Sequence, residues 1–174
     1  MVSFATAHSG LSACAYPLPV TSTADLSDEH EDALVCGLQL RQFGGLTDFS
    51  GPISTVRCLD DNVLLRRQIE APGNGRVLVV DGGGSLRSAL VGDLIAGIAA
   101  ANGWVGLVLD AGVRDVAVLR HLPIGIKALG SVPRRSAKEG VGEVDVPVEL
   151  GGITFTPGAI LTSDDDGIVV LSAS

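Results

Sequence analysis

A chain of 174 residues is long enough for one domain with a sizeable core. Hydrophobic residues make up 46% of it but aromatics only 3%, so that core has to be aliphatic, built from Val, Leu, Ile and Ala. A formal net charge of -8 and a pI near 4.7 exclude a nucleic-acid surface, which needs clustered Lys and Arg. The one basic cluster, Arg134-Arg135 with Lys138, is too small to reverse that balance. No apolar run approaches the length of a membrane span, so no membrane partner is expected. Cys14, Cys36 and Cys58 are odd in number, widely spaced and without a CxxC, which argues against a disulfide framework and a zinc site. The chain reads as cytoplasmic.

Residues 1–22 are rich in Ser, Ala, Thr and Pro and lack the basic and apolar regions of a signal peptide. They read as a flexible N-terminal tail, leaving 23–174 as a single α/β domain. Ser22 to Asp25 offers helix caps, and Leu26 to Leu34 carries acidic first turns. Asp28, Glu29, His30, Glu31 and Asp32 read as a solvated helix face rather than a metal cluster. Phe49-Ser50-Gly51-Pro52 marks a loop. Ile53–Leu59 then alternates like a strand, with Cys58 as a small buried hydrophobe. Asp60-Asp61 caps a helix reaching about Ile69, stopped by Pro72-Gly73.

The stretch from Val77 to Asp115 carries the most information. Val77–Val80 is an unbroken β-branched run, the pattern of a strand buried on both faces. Val105–Leu109 repeats it, and between them Leu94, Ile95, Ile98 and Ala99 form one stripe of an amphipathic helix. Strand, helix and strand make a βαβ unit with parallel strands. Because Gly is costly inside a helix and Asp favours its start, the helix begins at Gly92-Asp93. Residues 82–92 are left as a Gly-rich loop. A helix of about ten residues descends roughly 15 Å and a strand of about six climbs back roughly 19 Å. Asp93 and Arg114-Asp115 therefore return to the carboxyl ends of the strands, where open α/β sheets bind ligands.

That juxtaposition has chemical content. The amides of Gly92, Asp93, Leu94 and Ile95 at a helix N-terminus suit a small anion. Arg114 suits a carboxylate through paired hydrogen bonds. Asp93 and Asp115 are hard oxygen donors of the kind Mg²⁺ or Mn²⁺ takes. The competing reading makes Asp93 a simple helix cap and Arg114-Asp115 solvated loop charges. The Gly82-Gly83-Gly84 run imitates a dinucleotide fingerprint, but Arg87 stands where its third glycine should be, and no Walker Lys follows. It reads as a phosphate-free anion pocket or a tight turn.

Val116–Leu119 forms a short helix and Ile124–Leu129 another strand. His121 reads as a surface or capping residue. Lys127, in an apolar context, would suit Schiff-base chemistry only if its pKa were lowered. Val144, Val146, Val148 and Leu150 alternate as a one-sided strand that Pro147 places at an edge. Gly151-Gly152 is a hairpin signal, Ile153–Thr156 returns, and Ser163–Gly167 joins two last strands through turn-forming Asp residues.

Five segments carry a resemblance: RQFGGLTDFSGPISTVRC (41–58), GRVLVVDGGGSLRSALVGDLIA (75–96), GWVGLVLDAGVRD (103–115), IGIKALGSVPRRS (124–136), and GGITFTPG with SDDDGIVV (151–170). With them the chain resembles the regulator of ribonuclease activity A family, which includes class II 4-hydroxy-4-methyl-2-oxoglutarate aldolases. Some relatives have carried a menaquinone-methyltransferase label, and nothing in these residues supports methyl transfer. The resemblance implies a swivelling β/β/α fold with βαβ units and a β-rich C-terminal part, assembled as a homotrimer with intersubunit sites.

The same resemblance implies the roles. The D-x20-R-D pattern of the aldolases falls on Asp93, Arg114 and Asp115. Arg114 binds the pyruvate carboxylate, Asp115 anchors a divalent Mg or Mn ion, and Gly92–Ile95 bind substrate through amides. The ion acts as a Lewis acid on the 2-keto group of a small 2-keto acid substrate. Aldol cleavage and oxaloacetate decarboxylation share the pyruvate enolate, and cleavage also needs a base for the 4-hydroxyl, through water held by Asp93. Some aldolase members use an acidic residue on a C-terminal extension of the neighbouring subunit, whereas this chain ends at Ser174, so decarboxylation is expected to outlast aldolase efficiency. Ribonuclease regulators can lack the second Asp, whereas this chain keeps Asp115, which favours an enzyme. The alternative is an acidic, non-catalytic regulator that binds an RNA-degrading endoribonuclease.

Overall fold

A computed structural model of the chain describes residues 20–172. Positions 1–19 of the expected tail, with His8 and Cys14, lie outside the described residues. The elements in chain order are α1 (Thr23–Glu29), β1 (Leu34–Val35), β2 (Arg41–Gln42), β3 (Phe49–Arg57), α2 (Val63–Glu70), β4 (Val77–Val91), α3 (Asp93–Ala101) and β5 (Gly106–Val113). They continue as α4 (Val116–Leu119), β6 (Gly125–Ser131), β7 (Glu143–Val144), β8 (Val148–Leu150), β9 (Ile153–Phe155), β10 (Ile160–Ser163) and β11 (Ile168–Leu171). This is a mixed α/β protein with a large mixed sheet and few helices.

The sheet follows the order β1-β11-β10-β3-β4-β5-β6-β2, with β7 also paired to β3. Its centre, β3-β4-β5-β6, is parallel, and the flanking pairs are antiparallel. The period-2 pleat sorts the apolar run of β4 onto two cores. Leu78 and Val80 join Leu65, Ile69, Ala96, Ala99 and Leu119 of the helices. Val77 and Val79 join Val148, Leu150, Phe155, Leu161 and Val170 of the β-rich part. Helices thus cover one face of the parallel sheet and strands the other, which is why the run has no polar interruption.

One close approach fixes the middle of that second core. The ring of Phe49 lies directly over Gly106 and Gly125, the first residues of β5 and β6, so closely that a side chain at either would overlap it. Trp104, just before β5, is buried, with its indole N–H donating to the Ala71 carbonyl at 3.1 Å and Arg76 stacked 4.6 Å from its ring.

Several expectations are corrected. Residues 82–91 are not a loop above the strand but the far half of β4, which stays paired with β5 at Ser85, Ala89 and Val91, with bulges between these pairings. The bulges absorb the extra residues, with Gly83 and Gly84 at positive φ. Correspondingly, β5 does not end at Asp110 but runs to Val113. Phe49–Pro52 belongs to β3, because Ile160–Ser163 supplies its partners from more than a hundred residues away. Helix α1 ends at Glu29 rather than Leu34, since Leu34-Val35 is drawn into pairing with β11. The strand expected over Val144–Leu150 is divided. Asp145 takes a positive φ of 53°, Pro147 lacks an amide, and the two halves pair with β3 and β9 separately.

Candidate functional site

The carboxyl ends of β4 and β5 meet at the start of α3. Gly92 is the extended N-cap, and Asp93 is the first residue of the helix. Val91 and Arg114 are tied by a backbone bond of 2.9 Å from the Arg114 amide. Asp115 follows in the left-handed region, φ 56° and ψ 36°, as the N-cap of α4, and its carbonyl accepts from the Val118 and Leu119 amides at 2.8 and 3.1 Å. A left-handed conformation is uncommon outside Gly, with Asp and Asn the usual exceptions. Here it turns the Asp115 side chain back toward α3.

The structure therefore brings the sequence-predicted residues together. Arg114 Nε lies 3.3 Å from Asp115 Oδ2, and the Asp93 amide lies 3.5 Å from the same oxygen. The Leu94 amide donates to Asp93 Oδ1 at 2.7 Å, while the Ile95 amide has no acceptor among the described residues. Gly92 fits because it lacks a Cβ, which would stand 2.6 Å from Asp115 Oδ2 and 3.1 Å from Arg114 Nε. Leu94 is 75% exposed, and Ile95 packs partly against the helix-side core.

Two hollows meet at Arg114. The larger, about 550 Å³, runs from α3 to α2 and to residues 135–138, within the size range of small-molecule sites. Its wall holds five cations, Arg66, Arg67, Arg114, Arg135 and Lys138, against the carboxylates of Glu70 and Asp93. A smaller hollow of about 220 Å³ lies beside Asp115, Ser131 and Pro133. In a chain of charge -8, a cleft lined mainly by cations concentrates field for an anion. The sequence reading dismissed Arg134-Arg135 with Lys138 as too small a cluster and passed over Arg66 and Arg67. The pairings that join them, Ala89 with Arg135 and Asp61 with Ala137, span 46 and 76 positions of the chain.

The donor set suits a hard divalent ion bound sparingly. Asp115 is partly exposed, and its Oδ1 has no hydrogen-bond partner among the described residues. No group of three His, Cys, Asp or Glu side chains gathers among the described residues, so an ion here would take one or two carboxylates and complete its shell with water, the habit of Mg²⁺.

Other candidates lie elsewhere. Lys127 is buried on β6, and its ammonium donates to the Asp164 carbonyl at 2.6 Å. Burial pulls its pKa down, with Asp165 and Asp164 opposing. His121 is exposed after α4. The Gly83 amide is taken by the Asp81 carboxylate at 3.1 Å and the Gly84 amide faces that of Asp110, which argues against the anion-pocket reading of that run. Burial, then the Asp61 and Asp81 charges, push the Cys58 thiol up to about 12, which leaves it inert.

A parallel sheet with helices on one face, strands on the other and an anion-receptive cleft at its carboxyl ends defines the class of protein. More narrowly, the chain belongs to the RraA-like (Aldolase/RraA) family, which it matches over residues 23–170. A solved structure named as the RNA-processing inhibitor RraA from Thermus thermophilis is 44% identical with a TM-score of 0.87, over 89% of this chain and 94% of that one. One named as an S-adenosylmethionine:2-dimethylmenaquinone methyltransferase, from Geobacillus kaustophilus, is also 44% identical at 0.87, over 88% and 96%. Streptomyces coelicolor RraAS2, described as an unusual member of the RNase ES inhibitor RraA family, is 28% identical at 0.68, over 79% and 72%.

Proposed function

We propose that the chain is a divalent-metal-dependent carbon–carbon lyase that cleaves 4-hydroxy-4-methyl-2-oxoglutarate to pyruvate and also decarboxylates oxaloacetate. The observation that carries the reading is the contact of Asp93, Arg114 and Asp115 around the open end of α3. The terminal nitrogens of Arg114 have no acceptor among the described residues, so they can take the substrate carboxylate in a paired bond. The Ile95 amide, at the positive end of the helix dipole, favours negative charge on the same substrate. Asp115, with Asp93 nearby, would hold an Mg or Mn ion, which supplies Lewis-acid polarisation of the 2-keto group. Asp93 receives the 4-hydroxyl proton through water as the C3–C4 bond breaks, and the bond electrons pass into the pyruvate enolate. Decarboxylation needs the same enolate and no such base.

In this reading the protein is a cytoplasmic homotrimer. Leu94 and Val118, 75% and 46% exposed on either side of Arg114-Asp115, are apolar surface that a neighbouring subunit would cover. Buried free thiols at Cys36 and Cys58 suit a reducing compartment. No helix among the described residues is long and apolar enough to cross a membrane.

The test is pyruvate release from both substrates with Mg²⁺, then with EDTA, with Asp115→Ala alongside. Release that needs metal and disappears in the variant supports the lyase; release no faster than with free metal alone refutes it. A second reading has its own support in the inhibitor names of two relatives and in the exposed acids Asp25, Asp28, Glu29, Glu31 and Asp32. They could meet a basic face on an endoribonuclease, and that binding should survive Asp115→Ala.

A further inference from the structure

We infer that Arg67, Arg135 and Lys138 form a second anion subsite across the cleft from Arg114, selecting keto acids that carry a carboxylate at the end remote from the keto acid group. This rests on the lyase reading. Of the cleft's cations, Arg66 is already engaged with Glu70 at 2.9 Å, one turn along α2. Arg67, Arg135 and Lys138 have no ion-pair partner among the described residues. A keto acid held by Arg114 would leave all three facing a hollow of about 550 Å³.

The segment that carries Arg135 and Lys138 is anchored at both ends. At one end the Ala89 amide donates to the Arg134 carbonyl at 2.8 Å, and Ala89 pairs with Arg135 as a bridge. At the other, the Ala137 amide donates to the Asp60 carbonyl at 2.7 Å, and Asp61 Oδ2 accepts from the Glu139 and Gly140 amides at 2.5 and 3.0 Å. Asp61 in turn belongs to the turn that starts α2, its other oxygen taking the Val63 amide at 2.9 Å. Arg67 sits in the last turn of that helix. One buried carboxylate therefore fixes the helix bearing Arg67 relative to the segment bearing the other two cations. The backbone positions that carry the three charges are held relative to one another, so only side-chain freedom is lost on gripping one ligand, which lowers the ordering cost.

The decisive probes are 2-oxoglutarate and 2-oxopentanoate, five-carbon keto acids that differ only in the terminal carboxylate and lack the 4-hydroxyl needed for cleavage. Binding is measured by calorimetry with Mg²⁺ for the wild type, Arg67→Ala and Arg135→Ala/Lys138→Ala. The wild type should prefer 2-oxoglutarate by about tenfold, the scale of two or three partly exposed charge pairs. That preference should fall toward one in the double variant, fall partway in Arg67→Ala, and shrink with added salt. Equal binding of the two acids by the wild type, or a preference the variants leave unchanged, overturns the subsite while Arg114 binding and the lyase reading stand. Failure of both acids to bind removes both.

Discussion

Replacing Gly92 with Ala tests the site without testing the fold. Gly92 has φ -132° and ψ -169°, an extended conformation that Ala adopts without strain. The new Cβ would stand 2.6 Å from Asp115 Oδ2, where ordinary contact begins at about 3.4 Å, so the carboxylate must withdraw by roughly 0.8 Å. The Asp115 main chain cannot supply that movement, because its carbonyl is held by Val118 and Leu119 and the preceding amide by Val91. The side chain has to rotate away from the Asp93 amide and from Arg114. A misplacement of about 1 Å at a reacting centre costs on the order of 100-fold in rate, so Gly92→Ala should lower kcat/KM for oxaloacetate by about 10- to 100-fold, equivalent to roughly 1.4–2.7 kcal/mol. Stability should barely change, since the weaker N-cap and the stiffer unfolded chain oppose each other at about 0.5–1 kcal/mol each. The assay is Mg²⁺-dependent pyruvate release beside thermal melting. Gly97→Ala, five residues further along α3 with open space at its Cβ, is the control and should gain about 0.5–1 kcal/mol with activity intact. Full activity in Gly92→Ala, or a loss of activity matched by a large fall in Tm, would refute the reasoning.

Asp115→Gly should separate stability from chemistry. It relieves a left-handed conformation, keeps or raises Tm by the equivalent of up to about 1 kcal/mol, and removes metal-dependent turnover; retained turnover would contradict the assigned role. Lys127→Met should leave turnover unchanged and give no borohydride-trapped adduct with pyruvate, because the ammonium is spent on the Asp164 carbonyl; trapping at Lys127 would reinstate the Schiff-base route. Asp61→Asn should destabilise the protein by about 2–4 kcal/mol in urea melts, since an amide has a single acceptor oxygen and its NH2 group would face either the Val63 amide or the Glu139 and Gly140 amides, donor against donor. Burial raises the Asp61 pKa, but the Val63, Glu139 and Gly140 amides outweigh it and hold the carboxyl below its ordinary value. The Asp61 contribution is thus complete above the unfolded value of about 4 and is lost as pH falls through the lower folded value. The gap between wild type and variant should close in that acid range, and a pH-independent gap would refute the assignment.

What the sequence disclosed were features set by short-range pattern. The strand start at Val77, the second strand within one residue of Val105, the helix from Asp93 and the short helix Val116–Leu119 stand where apolar pattern and capping placed them, although both strands run further than expected. Adding their lengths was enough to bring Asp93 to Arg114-Asp115. The failures share one cause, pairing between distant segments. Gly82–Val91 looks like a loop locally, yet β5 offers partners to Ser85, Ala89 and Val91 within it. Phe49–Pro52 reads as a turn until Ile160–Ser163 is laid beside it. The cationic wall escaped notice because Arg67 and Arg135 become neighbours only through Asp61 and Ala89, residues that carry no functional signature of their own.

Phe49 has a consequence for how this sequence can diversify. Its ring occupies the space that side chains at Gly106 and Gly125 would need, so the three positions form one unit of inheritance. A lineage that acquires Ala at either glycine must first or simultaneously shrink residue 49, and one that shrinks residue 49 first passes through a cavity in the core. Both glycines begin strands whose opposite ends approach the cleft. Among relatives, substitutions at 49, 106 and 125 should therefore arrive together, and lineages that change the triad should be the ones free to tilt those strands and reshape the cleft.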